Sequence, residues 1–181
     1  MLNTPPRLRF KKYGALIALS ASCRSTCPRA RVGSSLFDSG KRVAATGFNG
    51  VPSGQPHCDE VGCVMVNGHC NNTVHAEKSA KGTLNGRKLP GGYVFVTHRP
   101  CRPCFDEMVE LEVAHIGFLT EYRPNDDREY IEKVCREKGI EFEKLPFDIK
   151  DLLKELLTFH QGPGGLLVQK PWLTISDETP Y

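Results

Sequence analysis

Residues 73–80 read TVHAEKSA and residues 97–105 read THRPCRPCF, and the fold follows from whether these two stretches belong to one site. His75, Cys101 and Cys104 offer one imidazole and two thiolates, a borderline-soft donor set that suits zinc. Cys101 and Cys104 stand three apart where a helix is expected to begin, so both can face one point. The positive end of that helix favours thiolates. Pro103 is tolerated there because the first-turn N–H groups lack intrahelical partners. Three protein ligands leave the fourth tetrahedral position open, as in a catalytic zinc site rather than a structural one. Taken singly the pieces carry little. A lone CxxC is often a redox pair or half of a structural metal site, and a His two residues before a Glu is common by chance. Together, with Cys101 placed 26 positions after His75 and a strand-like run, Tyr93–Thr97, leading to the proline, they are specific.

Glu77 then reads as an acid/base group over the open position, not as a fourth ligand. A zinc-activated water gives up a proton to such a carboxylate, which returns protons to a ring nitrogen and to departing ammonia. H-x-E followed by P-C-x-x-C is similar to the signature of zinc-dependent nucleobase deaminases.

Working outward, Arg31–Phe37 and Arg42–Phe48 are predicted strands joined by the hairpin signal DSGK. Residues 49–73 are rich in Gly, Pro and Asn, have no steady period and carry three cysteines and two histidines. A loop of that length in a compact domain is usually functional or held by something. A helix over 75–85, the strand Tyr93–Thr97, a helix from Arg102 to Glu112, a strand HIGFLTEY and a helix DDREYIEKVCREKG with a glycine stop follow. IEFEKL is a further strand and FDIKDLLKELLTFH a last amphipathic helix. Strands alternating with helices after an initial hairpin predict an α/β three-layer domain. One domain is expected over 1–160, with 161–181 a loosely attached tail.

Residues 7–23, RLRFKKYGALIALSASC, have the outline of a secretory signal: positive charges, a short apolar run and a cysteine. The run is far shorter than the roughly 20 residues of a membrane span. Its Phe10, Tyr13, Leu16, Ile17 and Ser20 recur at helical spacing, so a helix packing that stripe on a core explains the pattern equally well. The formal charge of +3 does not by itself imply a nucleic-acid partner. Basic residues concentrated between Arg7 and Arg42 suit a small anionic ligand or a solvated face.

CPRARVG (27–33), ATGFNGVPSGQPHC (45–58), TVHAE (73–77) and VFVTHRPCRPC (94–104) resemble the corresponding segments of bacterial and phage deoxycytidylate (dCMP) deaminases, of the zinc-dependent cytidine/deoxycytidylate deaminase family. The resemblance runs over about residues 10–123. It implies a cytidine-deaminase-like α/β/α fold with a mixed sheet of about five strands, and hydrolysis of dCMP to dUMP and ammonia. It also implies that YGALIALSASC (13–23) belongs to the first core helix and is not cleaved, in a cytoplasmic homo-oligomer, a hexamer or other. VGSSLFDSG departs from the more aliphatic strand usual in the family.

Asn49 of GFNG is expected at the mouth of the pocket, donating to and accepting from a sugar hydroxyl, with Ala76 counted among the substrate contacts. A plain turn leaving the second strand is the other reading. Arg29 and Arg31, and less strongly Arg123, are the candidates for the 5′-phosphate, because arginine forms paired charge-assisted bonds to phosphate. Cys58, Cys63 and Cys70 resemble the extra cysteines of family members with a second, structural zinc, with Cys27, His57 or His69 to close the tetrahedron. Unpaired loop thiols are the alternative. Cys135 reads as a small core residue. Regulation by dCTP and dTTP, the triphosphate carrying Mg²⁺, is implied by the resemblance at the GFNG turn, with Gly47, Asn49, Gly50 and Arg24 as its residues. Two rivals remain: tRNA adenosine or another nucleobase deamination by the same zinc site, and a non-catalytic zinc-stapled binding module. No membrane partner is expected and nucleic acid is disfavoured by the mild charge.

Overall fold

The computed structural model describes residues 7–66, 69–70, 72–122, 127–162 and 165–167. The chain divides into two compact units, Arg9–Pro146 and the described parts of Met1–Leu8 with Phe147–Tyr181. In the larger unit, helix α1 (Phe10–Ser22) precedes the hairpin β1 (Gly33–Phe37) and β2 (Val43–Phe48). The expected long loop contains a short helix α2 (Cys58–Val61) and the two-stranded β3 (Met65–Val66) and β4 (His69–Cys70). Then come α3 (Ala76–Gly82), β5 (Tyr93–His98), α4 (Arg102–Glu110), β6 (His115–Thr120), α5 (Arg128–Lys138) and β7 (Glu141–Lys144). Helix α6 (Ile149–Gln161) belongs to the other unit and is started by Asp148, whose carboxylate accepts from the Lys150 amide at 2.7 Å. Most of the expected tail lies outside the described residues.

The sheet order is β2-β1-β5-β6-β7. β1 is antiparallel to β2 and β5, while β5, β6 and β7 are parallel, so the five-stranded sheet is mixed as expected. Its two faces carry different cores. Leu36, Val94, Val96 and Ile116 face the helices α3, α4 and α5 and pack with Ala80, Cys104, Phe105, Met108 and Ile131. Phe37, Tyr93 and Phe95 face α1, where Phe10 meets all three rings edge-on at 5.0–5.6 Å. Such aromatic pairs add about 0.5–1.5 kcal/mol beyond burial.

The stripe on α1 differs from the expected one. Gly14, Ala15, Leu16 and Ala18 are buried, whereas Tyr13 is 43% exposed. The small residues win because α1 lies against the sheet: a Cβ at Gly14 would stand 2.1 Å from the Phe95 ring. The same closeness explains the polar first strand. All of β1 is buried, and Ser35 stays satisfied by donating its hydroxyl to the Gly14 carbonyl at 2.8 Å. At the far edge, Lys11 of α1 bonds Glu141 and Glu143 of β7, and Glu143 also holds the buried His115 ring at 2.8 Å. The αL residue Gly139 ends α5, as the glycine stop predicted. Among the described residues no helix is long and apolar enough to cross a membrane.

Candidate active site

The site forms where two helix N-termini converge at the C-terminal end of β5. His75 is the N-cap of α3 and Cys101 the N-cap of α4, with Cys104 in the first turn and Pro beside it. His75 Nδ1 lies 3.3 Å from Cys104 Sγ and 3.5 Å from Cys101 Sγ, and the three ligand atoms all fall within 4.8 Å of one another. Tetrahedral zinc with bonds of about 2.0–2.3 Å separates its ligand atoms by roughly 3.3–3.8 Å. The spacing and the donor set therefore fit zinc. The hydrogen bond from Cys104 brings the Cys101 thiol down to about 4, with His75 helping against burial. One thiolate is thus favoured beside the imidazole before any metal arrives. The His75 ring is raised by its Cys101 neighbour.

Glu77 sits in the first turn of α3, only 7% exposed. Burial pushes its carboxyl up to about 7. A group that is part acid and part base near neutrality is suited to moving protons in both directions.

These residues open on a cleft. His75, Ala76, Glu77 and Cys101 form one wall, and Asn49, Arg29, Cys27 and Cys70 line the cleft with them. Arg24 and Arg31 are exposed and do not line it, and Arg123 lies outside the described residues. Asn49 is largely committed to its own scaffold. Its Oδ1 accepts from Ser25 Oγ at 2.6 Å and the Val32 amide at 2.8 Å, and its Nδ2 donates to the Ala30 carbonyl at 2.9 Å. One N–H of its amide remains for a ligand. The amides of Asn49 and Gly50 are spent on the Val32 and Val74 carbonyls, so they do not form the anion-binding concavity expected of the turn. Gly47 has a packing reason: a Cβ there would meet the Ala76 carbonyl oxygen at 2.3 Å.

Cys58, Cys63 and Cys70 gather within 4.8 Å of one another, on the loop that supplies one side of the cleft. Burial and the neighbouring thiols raise Cys58 to about 12, whereas Cys70 is drawn down to about 7 against burial by the Asn72 amide and Thr73. Cys27 is buried and close enough to raise Cys63. His57 caps α2 and its Nδ1 pairs with Thr26 Oγ1 at 3.1 Å, while the His69 side chain is outside the description. All eight cysteines are free thiols.

Sequence reasoning missed Thr73, His98, Arg99 and Tyr122, which also line the cleft. The signal available was position: His98 and Arg99 end β5 directly before the Pro100–Cys101 turn, where ligands meet parallel strands.

An imidazole, two thiols and a buried carboxylate at the N-termini of two helices are the kinds of group that metal-assisted hydrolysis requires. The model of the cytidine and deoxycytidylate deaminase zinc-binding region matches residues 9–120, and the chain belongs to that family and is a deaminase. It is 31% identical over 166 residues to ComE operon protein 2 of Bacillus subtilis (strain 168), covering 89% of this chain and 86% of that protein. With the deoxycytidylate deaminase of Mycobacterium phage D29 it shares 33% identity over 123 residues, 62% of this chain and 95% of the phage enzyme. The solved dCMP deaminase of cyanophage S-TIM5, in complex with dCMP and dUMP, superposes with a TM-score of 0.56 at 27% identity over 75% of this chain and 93% of the phage chain.

Proposed function

We propose that this protein hydrolyses dCMP to dUMP and ammonia. The observation that carries the reading is the buried Glu77 beside His75, Cys101 and Cys104 in a cleft that Arg29 also lines. The likeness to the phage structure containing dCMP and dUMP supports the same substrate. His75, Cys101 and Cys104 would hold zinc, which when bound supplies Lewis acidity that makes water a nucleophile near neutral pH. Glu77 removes a proton from the attacking water and delivers protons to N3 of the base and to the departing 4-amino nitrogen. The C4–N bond breaks as the new C4–O bond forms, one water being consumed and one ammonia released. Glu77 is suited to both roles because burial raises its carboxyl toward neutrality. Arg29, exposed at the rim of the cleft, is suited to the 5′-phosphate, and the spare amide N–H of Asn49 to a sugar oxygen.

Ammonia release measured over dCMP, CMP, deoxycytidine, dCTP and a tRNA anticodon stem tests the reading. dCMP is expected to give the highest kcat/KM by at least tenfold. A better rate on the tRNA stem or on deoxycytidine overturns it.

The same proposal extends to a second zinc on Cys58, Cys63 and Cys70, with Cys27 the favoured fourth ligand because it adjoins Cys63. Purified enzyme is then expected to contain two zinc ions per chain and Cys63→Ser one, and a single zinc in fully active wild-type enzyme overturns it. It also includes a homo-oligomer in the reducing cytoplasm, activated by Mg²⁺–dCTP and inhibited by dTTP. With the Asn49 and Gly50 amides engaged, side chains such as Arg24 rather than the turn's backbone would meet the effector phosphates. Hyperbolic dCMP kinetics indifferent to both nucleotides would remove that part alone.

A further inference from the structure

A second cavity, of about 380 Å³, lies between the C-terminal ends of β5, β6 and β7 and helix α5. Among the described residues four cationic side chains line it, Arg99, Arg128, Arg136 and Lys144, against the two carboxylates of Glu121 and Glu132, an excess of two positive charges. Among the described residues Arg128, Arg136 and Lys144 form no ion pair. Arg99 differs from the other three. It is 9% exposed, its guanidinium lies over the Phe118 and Phe142 rings at 5.7 and 5.3 Å, and its buried Nε donates to no acceptor. A buried guanidinium costs free energy unless its charge and donors are met. The Glu121 carboxylate, 3.5 Å away and half exposed, meets only part of that need.

The geometry points to a second ligand site: this cavity takes a nucleotide, its phosphate on the arginines and its base against Phe142, the half-buried ring of the apolar wall. A phosphate monoester dianion matches the excess charge, and arginine's planar fork suits phosphate oxygens. Phe142, half-buried beside the buried Phe118 and Ile140, offers an apolar surface that an inorganic anion would not use. Arg99 lines the catalytic cleft as well, so one buried side chain forms part of both walls. The inference goes beyond the proposed deamination and depends on no step of it.

Arg128 and Arg136 are exposed on α5 and lie outside the catalytic cleft, so Arg128→Gln/Arg136→Gln is expected to keep the wild-type fold and basal turnover. Lys144→Gln, on β7, repeats the test from another element. Calorimetric titration of inorganic pyrophosphate into the wild-type enzyme is expected to report a site weakened at least tenfold by the double substitution and several-fold by Lys144→Gln. The nucleotide arm uses Glu77→Gln enzyme with its cleft filled by deoxycytidine, which carries no phosphate for the arginines of the second cavity. There dTMP is expected to bind more tightly than pyrophosphate, thymidine not detectably, and the two arginine substitutions to abolish dTMP binding. Equal affinities for dTMP and pyrophosphate would refute a nucleotide ligand, and binding indifferent to all three substitutions would refute the site. If Glu77→Gln enzyme fails to bind dCMP in a separate titration, the proposed substrate is wrong instead, and the pyrophosphate titration of wild-type enzyme still decides the cavity.

Discussion

Gly47→Ala separates packing from regulation at the GFNG turn. Gly47 lies in β2, directly under α3, and an added Cβ would stand 2.3 Å from the Ala76 oxygen, 2.4 Å from the Ala80 nitrogen and 2.9 Å from the Ala80 Cα. All three are backbone atoms of the helix, so no flexible side chain can swing aside. Ordinary contact needs about 3.4 Å or more, so α3 must move off the sheet by roughly 1 Å. Overpacking of that kind costs about 1–3 kcal/mol, or several degrees in Tm for a chain of this size. Because His75 and Glu77 ride on the displaced helix, a shift of about 1 Å should also lower kcat by roughly 100-fold. Thermal denaturation followed by circular dichroism, with dCMP turnover measured on the same samples, checks both. An Ala variant with wild-type Tm and kcat but an altered dCTP response would refute the packing account and make Gly47 an effector residue.

Glu77→Gln is expected to lower kcat by about 10⁴ or more, since one residue serves as base and acid, while zinc content by atomic absorption stays unchanged; joint loss of zinc and activity would show that Glu77 holds the metal. Asn49→Ala leaves the Ser25 hydroxyl and the Val32 amide without their acceptor at a buried position, so a loss of about 2–4 kcal/mol is expected in urea unfolding, whereas a rise in KM at unchanged stability would mean that Asn49 serves the substrate alone. Burial pushes the Glu143 carboxyl up, but His115 and Lys11 together hold it below the ordinary 4.5, so its stabilising contribution is present above pH 4.5 and lost as pH falls through the depressed value. Glu143→Gln should therefore lower the urea midpoint at pH 7 by the equivalent of about 1 kcal/mol, and the difference should vanish as pH falls through the depressed value; a difference that persists in acid would refute the linkage.

The catalytic half of the site was readable because its chemistry needs fixed residue types at fixed helix positions. His75, Glu77, Cys101 and Cys104 must occupy the first turns of two helices, and the sequence marks both starts, one with Pro100 and Pro103 and the other with the end of a glycine-rich loop. Strand order is less local. That β1 is antiparallel to β5 depends on pairings 56–62 residues apart, and the resemblance supplied a mixed sheet of about five strands but not its order. The α1 stripe was misjudged because large apolar residues were given priority. The helix buries Gly14, Ala15 and Ala18 beside the expected Leu16, half-buries the expected Phe10, and leaves Tyr13 and Ser20 exposed. Arg99 could be placed beside the cleft by its position before Pro100, but its burial could not be read from the sequence. Its isolation depends on Phe118 and Phe142, contributed by two other strands.

The two sides of the cleft are held by different forces, which assigns them different parts in the chemistry. On the catalytic side α3 and α4 are fixed by close packing: Ala76, Ala80 and Cys104 are fully buried, and Gly47 admits the backbone of α3 onto the sheet. Such contacts resist small displacements, as proton transfer over about 3 Å requires. On the substrate side the segment from Ser25 to Val32, which bears Arg29, is pinned by the single side chain of Asn49, and Gly50 ties it through paired amides to Val74, next to His75. The cysteine loop reaches the same segment, where Met65 Sδ accepts from Arg29 Nη1 at 3.3 Å. Hydrogen bonds of this kind contribute about 1 kcal/mol each, enough to order the segment and little enough for a ligand or a metal on the loop to shift it. The rigid wall is therefore the place to look for changes in kcat. The pinned wall, where the thiols of Cys58, Cys63 and Cys70 sit, is the place to look for changes in KM.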